Sequence, residues 1–472
     1  MSLPRRERMR VVIAGGGVAA LEALLALRAL AGERIAIALV SPEDEFLYRP
    51  VTVAEAFGRG EARAYDLAEI VGEQDGELIR DSLAGVDAEN HVAVTGSGDR
   101  LSFDSLVVAT GGHARNPLPG ALAFGGRADV LELRGVLDEL VEGRARSVAL
   151  ALPSARMWPV PIYELTLMAA ARLREQGVDA VRVCLVTPEE EPLELFGPAA
   201  ARAISPILEA RGIELRQSSL PAFVRRRALM LAGGAWIQAD KVITLPLLEG
   251  PRLAGVPNDR LGFIPVDTHG RVANLPGVYA AGDVTSFPLK QGGLAAQQAD
   301  AIAEAIAAEA GVAITPEPFA PVLRGLLLTG GAPLYLRSEP QRLAREATVA
   351  IEAGPSHLQG RGASDAAGQA LWWPPAKIAG RYLAPYLATA RFKPLGSAPF
   401  SDRVAVSDRP VSDSEYEDAL ELALLLADCD ARWGDYRSAL GALDAAEALE
   451  GPLPPEYEAK RRQWRAADRI DG

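Results

Sequence analysis

From Met9 the chain reads MRVVIAGGGVAALEALLALRAL, a short continuous apolar run, a glycine cluster, and then apolar residues at helical spacing. That order predicts a buried strand, a tight turn and a helix, followed by a second strand in RIAIALVS. The alternation recurs. SVALAL (147–152) predicts a strand and IYELTLMAAARL (162–173) a helix, with RVCLVTPEE as the next strand. LPGVYAAGDVTSFPLKQGGLAAQQADAIAEAIAAEAG (275–311) predicts a strand, a loop and a long Ala-rich helix. Strands alternating with helices define an α/β chain. In residues 313–400, FAPVLRGLLLTGGAPLYLR suggests strands. ALWWPPAKIAGRYLAPYLATARFKPL suggests a Trp-rich turn and a helix with Ile378, Tyr382, Leu383, Tyr386 and Leu387 on one face. SAPFSDRVAVSDRPVS (397–412) reads as a linker, and 413–472 as a helical hairpin tail. Within that tail RWGDYRSALGALDAAEAL is spaced like half of a tetratricopeptide unit. One copy cannot stack into a solenoid, so the hairpin is expected to dock or cap, or to meet a protein partner.

Composition narrows the classes. The 472 residues allow two or three domains, and 49% apolar content with 45 Gly and 34 Pro suits a globular chain with many turns. A net charge of −13 argues against a nucleic-acid partner, which needs clustered cations. The N-terminus superficially resembles a signal peptide, but Glu22 interrupts its apolar run. No apolar stretch reaches the roughly 18 residues of a membrane span, which leaves peripheral membrane contact open. Cys184 and Cys429 stand far apart in dissimilar contexts, so no disulfide framework is expected and a reducing cytoplasm is the default. The four histidines do not cluster, and no metal site is expected.

The first glycine cluster carries chemistry. Gly15, Gly17 and Ala20 give the spacing G-x-G-x-x-A, in which Gly15 permits the turn and Gly17 lets the backbone approach a pyrophosphate. Ala20 allows close helix packing, and Val18 and Ala19 open the helix whose positive end attracts the phosphates. At the end of the second strand either Ser41 or Glu43 could take the adenosine ribose. Two later segments fall in order behind this one: LSFDSLVVATGGHARNPLPG (101–120), with Thr110 and Gly111, and the Gly282-Asp283 turn leading to Gln291 and Gly292.

Together these segments resemble the two-dinucleotide-domain flavoproteins of the pyridine nucleotide–disulfide oxidoreductase superfamily, from about residue 9 to 312 and more weakly to about 395. The resemblance implies two Rossmann-like dinucleotide-binding domains. An FAD domain would be split between 1–120 and 250–312, with a second, degenerate NAD-like domain at 121–249. A C-terminal α+β region at 313–400 and the tail would follow. It also implies FAD as cofactor. Asp283 would bond the ribityl chain, and the helix from Gly292 would face the N1–C2=O edge of the flavin. Thr110 and Gly111 would lie by the pyrophosphate or flavin, and Leu83 would offer a backbone contact to adenine. Members that reduce disulfides carry a dithiol after the second strand. FLYRPVTVAEAFGRG (46–60) holds no cysteine, which excludes that chemistry. FLYRP is instead similar to its counterpart in type II NADH dehydrogenases and sulfide:quinone oxidoreductases, which implies that Arg49 and Pro50 line the flavin or the pyrophosphate, the alternative being that they merely begin a helix.

The second glycine loop is missing. PSARMWPVP (153–161) holds three prolines, Met157 and Trp158, which would obstruct a pyrophosphate and remove backbone donors. The stretch resembles the sulfide dehydrogenase branch through Arg156, Tyr163 and Glu164, but Met157 or Trp158 stands where that branch has its catalytic cysteine. Cys184 reads as a buried hydrophobe, and Cys429 as too remote to pair with it. By analogy with relatives whose C-terminal segment covers the flavin, Trp372, Trp373 and Lys377 are candidates to wall a substrate pocket. The helix after them is expected to pack on the flavin domain, bridge a homodimer, or serve as a membrane-surface or quinone-access element.

The reading is an FAD-dependent oxidoreductase that passes electrons from an unidentified donor to a quinone, small-molecule or protein acceptor. The alternatives are an NAD(P)H dehydrogenase with an atypical nucleotide site, and a flavin-binding sensor with little turnover.

Overall fold

The computed structural model describes residues 8–339, 377–395 other than 379, and 411–471. Two five-stranded sheets organise them. In the first, β1 (Met9–Ala14) lies between β2 (Ile35–Val40) and β4 (Ser105–Val108), both parallel to it, with Met9 opposite Ile35 and Val11 opposite Ser105. Strand β3 (Glu77–Ile79) flanks β2, and β10 (Val278–Ala280) flanks β4. Covered on both faces, β1 and β4 are almost wholly apolar runs, as parallel strands require. Because β10 enters the sheet only after the second sheet has been built, the first sheet is assembled from two separate stretches of chain.

The second sheet runs β5 (Leu122–Ala123), β9 (Lys241–Thr244), β6 (Ser147–Ala151), β7 (Arg182–Val186) and β8 (Glu214–Arg216), all parallel. Helix α1 (Val18–Ala31) follows β1, and α2 (Val160–Glu175) follows β6. Helix α3 (Gly292–Glu309) packs on α1 through small side chains, Ala19, Ala23 and Ala26 meeting the Ala295, Ala299 and Ala303 stripe in one core. Small residues let the helix axes approach closely.

Two features tie the C-terminal region to this core. The hairpin β11 (Leu323–Leu327) with β12 (Leu334–Ser338) lies against α2 and α3. Glu22, fully buried in α1, accepts the backbone N–H groups of Tyr382 and Leu383, both at 2.7 Å. These open the short helix α4 (Leu383–Thr389), so Ile378, expected on that helix, precedes it and is buried all the same. Its start is delayed because the Glu22 carboxylate caps the chain at Tyr382.

The tail contains the expected hairpin, α5 (Asp413–Arg432) and α6 (Tyr436–Glu450), and extends it by a third helix, α7 (Pro455–Asp471). Pattern reading missed α7 as a separate element because its core contribution is mainly Trp464 and the stem of Arg461. Arg461 pairs with Asp444 at 3.1 Å and Glu447 at 2.9 Å on α6. Asp428 on α5, buried, receives Lys460 at 2.7 Å and the Tyr457 hydroxyl at 3.2 Å from the α7 side, and Arg260 from the loop before β10. Leu422 on α5 joins Leu247, Leu261 and Phe263 in one apolar cluster. The tail is therefore packed on the body of the molecule.

Candidate functional site

Strand β1 ends in a turn built for close approach. Gly15 has φ +132° and donates to the Val40 carbonyl at 2.8 Å; a Cβ there would stand 2.2 Å from the Ala109 carbonyl oxygen. Only glycine fits. Gly17 caps α1 with no side-chain bond to the first turn, that turn holds no acidic residue, and a Cβ on Gly17 would meet nothing within 4 Å. Val18, Ala19 and Ala20 thus begin a helix whose positive end faces open space, which is what a pyrophosphate requires. Gly282, at φ +80°, brings the later turn to the same place: a Cβ there would lie 3.1 Å from Ala19 Cβ and 3.3 Å from Ala295 Cβ. Thr110 and Gly111 follow the end of β4 beside this turn, Gly111 at φ +76°. Leu83 is buried in the strand Leu83–Asp87. Ser41 is fully buried beneath the loop, its Oγ accepting from Glu43 N at 3.2 Å, whereas Glu43 is exposed at the strand end. The cradle fits an FAD.

Beyond Asp283 opens a cleft of about 410 Å³. Arg49, Pro50, Asp283, Lys290, Gln291 and Gly292 line one side of it. The Gln291 side chain caps α3, accepting Leu294 N–H at 2.8 Å, and Gly292 packs against Ile378. Lys290 lies 3.6 Å from the centroid of the Phe263 ring and donates to the Thr285 carbonyl. Burial pulls its ammonium down to about 8, against the pull of Asp283 and Asp259. Burial raises the Asp283 carboxyl, opposed by Lys290 and Arg49. Two groups of opposite sign are thus each pushed toward neutrality. Of the three pocket candidates, Lys377 lines the cleft, its Nζ 2.6 Å from Glu164, while Trp372 and Trp373 lie outside the described residues. Glu164 is fully buried; burial raises its carboxyl and Lys377 lowers it. The Tyr48 hydroxyl accepts the N–H groups of Lys377 and Ile378, and burial pushes its phenol up to about 12.

The opposite wall is the stretch after β6. Ser154, Arg156, Met157 and Trp158 line the cleft where the first sheet has its glycine cradle. Arg156 pairs with Asp430 at 3.4 Å and Asp435 at 3.9 Å, and its guanidinium carbon stands 6.0 Å from the Trp433 ring. Trp158 meets Phe196 edge-on at 5.4 Å. Beyond β7, Glu189 occupies the position at which an acidic residue receives a ribose in such domains. It is buried, accepting the Tyr163 hydroxyl at 2.6 Å, Thr187 Oγ1 at 2.8 Å and Glu194 N at 3.1 Å. Those bonds leave it committed to the protein's own groups.

Helix α5 completes the cleft with Leu426, Cys429 and Asp430, and Trp433 follows it. Sequence reasoning missed all four, because nothing local in the tail says where it docks. Cys184 and Cys429 sit in separate apolar clusters, as their spacing implied. Yet Cys429, treated only as a remote thiol, faces the cleft. Burial, with Asp259 and Asp430 nearby, pushes its thiol up to about 11, and burial pushes Cys184 up to about 12. Neither is a ready thiolate.

A parallel sheet carrying a glycine cradle, a following turn whose carboxylate lines a cleft, and a helix that opens at that cleft define a dinucleotide-binding redox protein. The profile of the pyridine nucleotide-disulphide oxidoreductase family matches residues 9–145 and 165–309, more than half of the chain, and the protein belongs to that family. It is an FAD-dependent oxidoreductase. The match breaks off at 146–164, the segment that holds β6 and the glycine-free loop. An NADH dehydrogenase-like protein of Mycobacterium tuberculosis is 28% identical over 299 residues, covering 59% of this chain and 73% of that protein. The sulfide-quinone reductase of Aquifex aeolicus is 24% identical over 298 residues, covering 59% of this chain and 69% of that protein. The solved structure of the sulfide:quinone oxidoreductase from Aquifex aeolicus superposes with a TM-score of 0.65 at 21% identity, over 71% of this chain and 84% of that one, and shares the fold. Further relatives are spanned over only 58% and 43% of their length. No helix among the described residues is long and apolar enough to cross a membrane.

Proposed function

We propose that this flavoenzyme takes electrons from a donor other than NAD(P)H and passes them through FAD to a quinone or small-molecule acceptor, without a redox disulfide. Residues 1–120 and 250–312 act as the FAD-binding unit, and 121–249 as a dinucleotide fold that no longer receives a nucleotide. In this reading Gly15, Gly17 and the N–H groups of Val18, Ala19 and Ala20 hold the pyrophosphate. Asp283 holds the ribityl chain, Thr110 and Gly111 flank it, and the positive end of α3 at Gly292 biases the flavin edge toward negative charge. The bound flavin supplies the two-electron chemistry. The protein's own side chains exclude water and manage protons. Lys290 Nζ, held at about 8, gains or loses its proton near neutrality beside Asp283, and Lys377 forms an ion pair with the buried Glu164 in the same cleft.

The observation that carries this reading is the loop from Ser154 to Trp158, filled with bulky side chains and clamped by Arg156 to Asp430 of the tail. Anaerobic mixing of the purified flavoprotein with NADH or NADPH at millimolar concentration tests it. The flavin band is expected to stay unbleached, while a suitable small-molecule donor bleaches it. Rapid bleaching by either nucleotide would instead support the second reading, an NAD(P)H dehydrogenase, which the name of the Mycobacterium tuberculosis relative favours.

A further inference from the structure

The cleft contains a cation that the preceding account leaves without a role. Arg324 on β11 lines the cleft and is only 9% exposed. No hydrogen bond or ion pair of its guanidinium is found among the described residues; only its carbonyl is engaged, accepting from Gln291 Nε2 at 3.2 Å. The other cationic groups there have acidic neighbours. Lys377 has Glu164, Arg156 has Asp430, and Lys290 and Arg49 act on Asp283. Across the hairpin the register sets Arg337 opposite Arg324, a like charge whose own ion pair is with Glu339 at 2.6 Å. Burial, with Arg337 beside it, pulls the Arg324 guanidinium below its ordinary range, opposed by the charge of Glu339, which is bonded to Arg337 rather than to Arg324. A largely buried guanidinium with no bonded anion is a place where a ligand can supply one.

The surroundings say what kind of anion. The cleft is lined by five cationic and four carboxylate side chains, a positive excess inside a chain whose net charge is −13. Trp158, Phe287 and Leu326 are among the apolar residues that line the same cleft. At Gly325 a Cβ would stand 3.1 Å from Phe196 Cζ and 3.4 Å from Trp158 Cζ2, so the missing side chain lets the strand press onto that aromatic pair. A guanidinium in a cleft whose lining is otherwise largely apolar suits a compact molecule with one carboxylate.

We infer that Arg324 anchors the carboxylate of a compact, largely apolar monoanion in this cleft, which names the substrate class of the flavin site proposed above and rests on that reading.

Benzoate and its neutral isostere benzamide provide the test, titrated by calorimetry into the FAD-loaded full-length protein. Benzoate is expected to bind at least about tenfold more tightly. Arg324→Gln is expected to bring the two within about twofold of each other, Arg324→Lys to restore part of the preference, and Arg337→Gln to leave it intact. FAD content and thermal midpoint identify a variant that has failed to fold; in that event the unsubstituted protein and Arg324→Lys still decide the matter. Equal binding of the two probes, no binding of benzoate, or an unchanged preference in Arg324→Gln would overturn the inference. A shift of the flavin reduction potential in Arg324→Gln with the probe preference intact would assign Arg324 to the cofactor and overturn it too. Protein that cannot retain FAD would instead defeat the oxidoreductase reading, so the two failures are distinguishable.

Discussion

The turn after β1 and the turn after β6 occupy equivalent places in two sheets of the same design, and they are built from opposite kinds of residue. After β1, Gly15 and Gly17 strip the backbone bare, and α1, like α2, opens without a side-chain cap. After β6, prolines, Met157 and Trp158 stand in the equivalent place and line the cleft, and Arg156 reaches out to Asp430 of the tail. Glu189 shows the same conversion at the next strand, a ribose-type carboxylate turned inward onto Tyr163 and Thr187. The comparison teaches that two scaffolds of one design can differ in what their turns present: bare backbone in one, and in the other bulky side chains with a buried carboxylate bonded to the protein's own groups.

The strongest way to break the contrast is to give the first turn a side chain. Gly15→Ala places a Cβ against the Ala109 carbonyl at a φ of +132°, and FAD affinity is expected to fall about a hundredfold, read from the flavin-to-protein ratio and by titration. Next in size is the clamp at the second turn. Arg156→Ala leaves Asp430 without this partner and is expected to lower stability by about 2 kcal/mol in urea unfolding while FAD binding persists.

A smaller effect comes from Lys290. Its folded value of about 8 lies below the free value of 10.5, so between those pH values the unfolded chain binds more protons and stability rises with pH. Lys290→Met should remove that share of the rise, seen by comparing unfolding midpoints of variant and parent across the window. The smallest effect is expected at Cys429→Ser. A thiol held at about 11 is protonated at neutral pH, so flavin reduction and reoxidation rates should stay within about twofold of the parent, and alkylation of Cys429 should be slow.

Much of this was legible in the chain because it is local. The strand–glycine–helix run from Met9, the Gly282-Asp283 turn and the missing glycines at 153–161 each lie within a few residues, and periodicity with turn chemistry reads such features directly. Lys377 was found by position relative to the Trp-rich turn, and the structure brings it to the cleft against Glu164. What stayed hidden depends on distant contacts. Arg324 sits in an ordinary strand and becomes notable only once its neighbours prove to leave it unpaired. Cys429, Asp430 and Trp433 face the cleft because Leu422 meets Phe263 and Asp428 meets Arg260, contacts between residues more than a hundred positions apart. The different settings of Ser41, buried beneath Gly16, and Glu43, exposed, also needed coordinates to see.

The claim that one sheet keeps its nucleotide and the other has surrendered it is tested most directly by dinucleotide stoichiometry. Protein stripped of flavin would be titrated calorimetrically with FAD, then with NADH and NADPH. The account predicts one FAD per chain and no heat from either nicotinamide nucleotide. A second saturable site that takes NADH or NADPH with micromolar affinity would contradict it.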